Sequence, residues 1–170
     1  VDNLIFCCLS YLNWDGIAEG FTAAESISLR DAARLWEHRP TAEQKVRVET
    51  DRSLLRQTAA SRRFGEVRLF RYAEQFSETR QQQFSATAFL LDSDTVYVAF
   101  RGTDNTLTGW REDFNLSFLP YVPSQAAAAA YLRGILSLGF SNVYVGGHSK
   151  GGNLAVYAAV QMQPEDFPRI

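Results

Sequence analysis

The sequence predicts an α/β domain, a mixed sheet with flanking helices behind a helical N-terminal segment. Three observations carry this. The hydrophobic period changes from 3.6 to 2 near residue 66. "TVYVAF", 95–100, is almost continuously apolar, as in a strand buried on both faces. From residue 124 the chain then reads helix, strand, helix, so residues 95–163 follow the strand–helix–strand grammar of a parallel pair with a right-handed crossover.

Taken in order, Leu4, Ile5, Cys8, Leu9 and Leu12 fall at helical spacing, and "NWDG", 13–16, stops that helix. Ser28, three residues before Asp31, caps a helix over "LRDAARLWEH" that Pro40 ends. Thr41 and Gln44 offer a second capping box for a helix running through Leu54 and Leu55 to "RRFG", with Gly65 at its C-cap. "VRLFRYAEQF", 67–76, is rich in strand formers, and "FSATAFLLD", 84–92, alternates. The tight "DSD" joint makes 84–92 and 95–100 an antiparallel hairpin. Residues 105–118 read as polar and irregular. "SQAAAAAYLRGILSLG", 124–139, is a strong helix ending at Gly139. "NVYVGG", 142–147, reads as a short buried strand, and "KGGNLAVYAAVQMQ" as a helix stopped before Pro164.

Composition narrows the function classes. A chain of 170 residues suits a single domain over 1–170, with 1–65 as helical lead-in and 66–170 as the sheet and its loops. The net charge of -2 gives no electrostatic case for nucleic acid or an anionic membrane. No Cys/His set has metal-ligand spacing, and no phosphate-binding glycine pattern is present, so neither a metal nor a cofactor is expected. Cys7 and Cys8 are adjacent, a strained geometry for a disulfide. They read as free thiols of a reducing, cytoplasmic compartment. "NLIFCCLSYL" lacks the basic flank and cleavage site of a signal peptide and is too short to span a bilayer.

The chemistry concentrates at Gly147-His148-Ser149-Lys150-Gly151, which fits G-x-S-x-G with a strand before and a helix after. So sharp a turn strains the serine backbone and lifts its hydroxyl above the sheet edge. Gly147 and Gly151, followed by Gly152, remove Cβ atoms where strand and helix nearly touch. The amino end of the following helix favours negative charge at the same spot. A second hydrogen-bond donor is expected from "VAFRGTD", 98–104. There Gly102 lets the backbone turn close to a substrate, and Thr103 presents its N–H and its hydroxyl.

"FRGTD" followed by "GHSKGGNLA" resembles the class 3 lipases. "VDNLIFCCLSYLNWDGI" with "KGGNLAVYAA" is similar to an uncharacterised bacterial family of lipase-like hydrolases. The resemblance implies the N-terminal part of an α/β-hydrolase fold. It also implies Ser149 as nucleophile and the N–H groups of Thr103 and Lys150 as the oxyanion hole, on a small acyl ester or lipid substrate. Transient contact with a lipid surface fits the same likeness. A thioesterase or amidase would use the same parts, and a non-catalytic binding module on this scaffold is the alternative.

The sequence departs from that pattern in its base. Of the two histidines, His148 sits inside the elbow with its ring expected to face away from Ser149, and His38 lies in an early helix. Asp166 follows Ser149 too soon to be the triad acid. The acid and histidine are therefore expected in a longer parent chain, and the sheet edge left unfinished here invites self-association. Asp104, Trp110 and Asp113 are expected to form a pocket wall or a solvated loop. Phe100, Phe114, Phe118 and Tyr121 are expected in the core, with the lining of an acyl pocket as the alternative.

Overall fold

The computed structural model describes residues 2–170. Five strands form one mixed sheet in the order β1 (Ile27–Ser28), β2 (Arg68–Ser77), β3 (Gln82–Leu90), β4 (Thr95–Phe100) and β5 (Asn142–Gly147). The first three pairings are antiparallel, and β4 and β5 are parallel. The crossover between the parallel strands carries α4 (Leu107–Asn115) and α5 (Pro123–Leu136), and α6 (Lys150–Val160) follows β5. Helices α1 (Asp2–Leu9), α2 (Leu29–Glu37) and α3 (Thr50–Ala60) come before β2.

Alternation along β4 builds two cores. Val96, Val98 and Phe100 point to one face, where Leu132, Ile135, Leu154 and Ala158 of α5 and α6 cover them. Tyr97 and Ala99 point to the other, against Phe6, Leu9, Trp36 and Leu55 of α1 to α3. Burial of β4 on both faces follows, as its apolar run predicts. The lead-in is thus one layer of a three-layer stack.

Several expectations need correction. The buried face of α1 is Phe6, Cys7 and Leu9, while Leu4 is exposed. Thr41 starts no long helix. Residues 41–43 form a turn, and Gln44 bonds back to the carbonyls of Glu37 and Arg39. Helix α3 begins at Thr50, where the Asp51 carboxylate takes the N–H groups of Arg47 and Val48. The C-cap of α3 is Ser61. Gly65 is instead a close approach, where a Cβ would stand 2.6 Å from the Ala59 carbonyl oxygen. Residues 107–115, read as irregular, form α4, whose N-cap Thr106 accepts the Gly109 N–H. Strand β5 is an edge strand covered on one face: Val143 is buried and Val145 packs on the core, while Tyr144 is exposed.

The junction of β5 and α6 is a close backbone crossing at the end of the sheet. A Cβ on Gly147 would collide with the Gly151 backbone and stand 2.6 Å from the Phe100 carbonyl oxygen. One on Gly151 would collide with that same Phe100 oxygen. Rigid backbone on both sides leaves nothing to give way. Gly151→Ala is expected to destabilise the fold by about 2–3 kcal/mol, read as a lower denaturation midpoint at unchanged slope.

Candidate active site

Strands β4 and β5 end level, with Phe100 opposite Gly147. Being parallel, they release Arg101-Gly102-Thr103 and His148-Ser149-Lys150 from the same end of the sheet, the end where open α/β sheets carry ligands. The two loops touch. A Cβ on Gly102 would collide with the His148 carbonyl oxygen and with the Tyr11 hydroxyl, and one on Gly151 would lie 3.0 Å from the Arg101 carbonyl carbon. Residues 101–103 and 147–151, read separately in the sequence, are therefore brought together. Arg101 N–H donates to the Ser85 carbonyl at 2.9 Å and holds the strand end in place.

Ser149 has φ 58° and ψ −125° and is exposed. A non-glycine residue there carries strain of about 1–3 kcal/mol. It directly precedes the first turn of α6, where Gly151 N–H bonds to the His148 carbonyl and Gly152 N–H to the Ser149 carbonyl, at 3.0 and 2.9 Å. Among the described residues, no protein acceptor takes the N–H of Thr103 or of Lys150. The Thr103 hydroxyl is likewise buried without a partner. Unused donors beside an exposed hydroxyl can receive negative charge that develops on a bound group.

The Lys150 side chain takes a separate role. Its ammonium is fully buried and donates to the Glu112 carboxylate at 2.9 Å and to the backbone and side-chain carbonyls of Gln83 at 2.6 and 3.0 Å. Glu112, from α4, also accepts the N–H groups of Gln83 and Ser124 and the Ser124 hydroxyl. Burial pushes the Lys150 ammonium below its ordinary range, and the Glu112 carboxylate opposes that shift. This network ties α4, β3 and α5 to the start of α6.

His148 Nδ1 lies 3.1 Å from the Tyr11 hydroxyl, so its ring is held by the N-terminal segment. His38 Nδ1 lies 2.6 Å from the Arg34 carbonyl at the end of α2. Among the described residues, no imidazole hydrogen-bonds Ser149. Asp166 pairs with Arg169 at 2.6 Å. Asp104 accepts from the Thr106 N–H and hydroxyl. Phe100 is core, but Phe114, Phe118 and Tyr121 are exposed, which corrects the expectation of burial. They and Trp110 stand on or just beyond the outer side of α4, because its inner side is given to Thr108, Gly109 and Glu112. Four contributors were missed in the sequence: Glu112, Gln83, Tyr11, and Gly146, where a Cβ would collide with the Tyr97 hydroxyl. Once α4 is recognised as a helix, Glu112 falls opposite the stripe Leu107, Trp110, Phe114, and that spacing is the available signal.

The ion pair gives a measurable expectation. Lys150→Met leaves a buried carboxylate without its cation and should cost about 3–5 kcal/mol. Glu112→Leu alone should also destabilise, and the double variant should lose less than the sum of the two, so chemical denaturation of the three variants measures the coupling. Equal losses that simply add would contradict a coupled pair.

No helix of the described residues is long and apolar enough to cross a membrane, and none of their His, Cys, Asp and Glu side chains cluster as a metal site. No curated protein and no solved structure matches the chain. A family model does match, over residues 58–170, a range that holds β2 to β5, both loops of the site and α4 to α6. The chain belongs to the Mbeg1-like family.

Proposed function

We propose that these residues carry the nucleophile and oxyanion hole of a serine hydrolase acting on carboxylic esters, lipase- or esterase-like, on an α/β-hydrolase fold. The observation that carries the reading is the exposed Ser149 at φ 58°, between the end of β5 and the start of α6, next to His148, whose carbonyl packs on Gly102. In this reading the Ser149 oxygen attacks the ester carbonyl carbon and its proton passes to a general base. The carbonyl oxygen becomes an oxyanion held by the N–H groups of Thr103 and Lys150. Collapse expels the alcohol, which takes up the proton, and water then releases the acid from the acyl-serine.

The acid and the base belong, in this proposal, to protein outside these 170 residues. A second reading, a non-catalytic binding module on the same scaffold, is favoured by one observation: both imidazoles bond elsewhere. A fluorophosphonate separates the two, since covalent labelling of Ser149 in the intact protein requires an activated hydroxyl. On the first reading the intact protein hydrolyses p-nitrophenyl acyl esters, and Ser149→Ala abolishes both turnover and labelling. Retained turnover in that variant would sink the nucleophile assignment. Gly102→Ala, which drives a methyl into the His148 carbonyl and Tyr11, is expected to lower kcat about 100-fold or more by displacing the Thr103 donor.

A further inference from the structure

Beside the elbow lies a cleft of about 560 Å³ whose wall includes Tyr11, Lys45, Arg47, Glu74, Arg101 and Asp104. Ser149 does not line it, but two residues connect the cleft to the site. Tyr11 bonds His148, and Asp104 follows Thr103. The two carboxylates of the wall are already engaged, Glu74 by an Arg101 guanidinium N–H at 2.6 Å and Asp104 by Thr106. The cations are under-used. Among the described residues, Lys45 and Arg47 have no carboxylate at ion-pair distance.

Two buried donors sharpen the point. The Nε–H groups of Arg47 and Arg101 are both buried without an acceptor, and Arg101 as a residue is only 6% exposed. An unpaired buried donor is unfavourable, more so on a charged group, and a ligand oxygen removes that penalty. Arg47 Cζ also lies over the Tyr11 ring, 4.8 Å from its centre, a cation–π contact that helps hold the side chain at the cleft. Planar guanidinium forks match carboxylate and phosphate oxygens.

We propose that this cleft binds an anionic oxygen group, a carboxylate or phosphate, through Lys45, Arg47 and Arg101, and that this group belongs to the molecule whose ester reaches Ser149. The second half rests on the nucleophile reading above; the anion site stands on the cleft alone. The substrate class is then an acyl ester bearing a negative charge, rather than a neutral ester.

Calorimetric titration of the intact protein tests this with glycerol 3-phosphate and glutarate as soluble probes and glycerol as the neutral control. Vesicles of phosphatidylglycerol, compared with phosphatidylcholine, form a lipid arm. Saturable binding of an anionic probe, not matched by glycerol, is expected to weaken about tenfold in Lys45→Gln and in Arg47→Gln. Lys45 is exposed, so its variant tests charge without disturbing the fold. Binding confined to phosphatidylglycerol and weakened by the same variants assigns the anion to a lipid headgroup and upholds the site. No anionic binding in either arm, or binding unchanged in both variants, overturns it. Anion binding without fluorophosphonate labelling of Ser149 upholds the cleft and removes the nucleophile reading; labelling without anion binding does the reverse.

Discussion

The structure turns on one contact, the meeting of the Gly147 and Gly151 backbones with the carbonyl of Phe100. It holds the end of β5, the first turn of α6 and the end of β4 within van der Waals reach. A side chain at either glycine would force the three apart. Because they cannot separate, the chain between Gly147 and Gly151 has almost no freedom, and Ser149 is left in a conformation it would not choose alone. Strain of this kind persists only where the surroundings over-determine it. Here the over-determination comes from the parallel register of β4 and β5, which sets the two strand ends level.

The Lys150–Glu112 pair secures the same junction from below. A fully buried ion pair seldom adds net stability over apolar packing of the same volume. What this pair supplies is connectivity, because Glu112 reaches Gln83 on β3 and Ser124 at the start of α5, while Lys150 opens α6. Four elements meet on one carboxylate and one ammonium. The elbow is therefore fastened to the sheet and to α4 by groups that point away from the exposed hydroxyl. Lys150 divides its groups: its N–H has no protein acceptor among the described residues at the helix start, while its side chain is buried in the core.

Strands β2 to β5 were legible because their signals are local, whereas the two-residue β1 carries no periodic signal. The apolar run of β4 and the turn at 92–94 predicted the hairpin, and β4 and β5 lie at the expected residues. Helix α4 was hidden because its outer side carries Leu107, Trp110 and Phe114, a stripe that looks like core material in a stretch otherwise polar. Its inner side buries a glutamate instead, and a buried glutamate is interpretable only with its lysine, 38 residues away. The capping box at Thr41 misled for a related reason: Gln44 finds tertiary partners in Glu37, Arg39 and Arg52 that outbid a helical turn. The elbow glycines were readable as a motif, whereas Tyr11, Gly146 and the cleft depend on long-range contacts that no spacing encodes.

The division between geometry and proton transfer follows from these placements. Holding a hydroxyl exposed beside N–H groups without protein acceptors among the described residues is set by backbone geometry where β4, β5 and α6 meet. Taking the proton from that hydroxyl requires a titratable side chain within reach, and the elbow's own histidine is committed to Tyr11. That commitment is built into the turn. A residue adjacent to Ser149 in a strained hinge projects to a different side, and Gly102 packs against its carbonyl. The His148 ring could turn toward Ser149 only by giving up its Tyr11 partner. The same turn that exposes the Ser149 hydroxyl thus leaves the neighbouring imidazole bonded to Tyr11, so on the proposed hydrolase reading the base is a group other than His148.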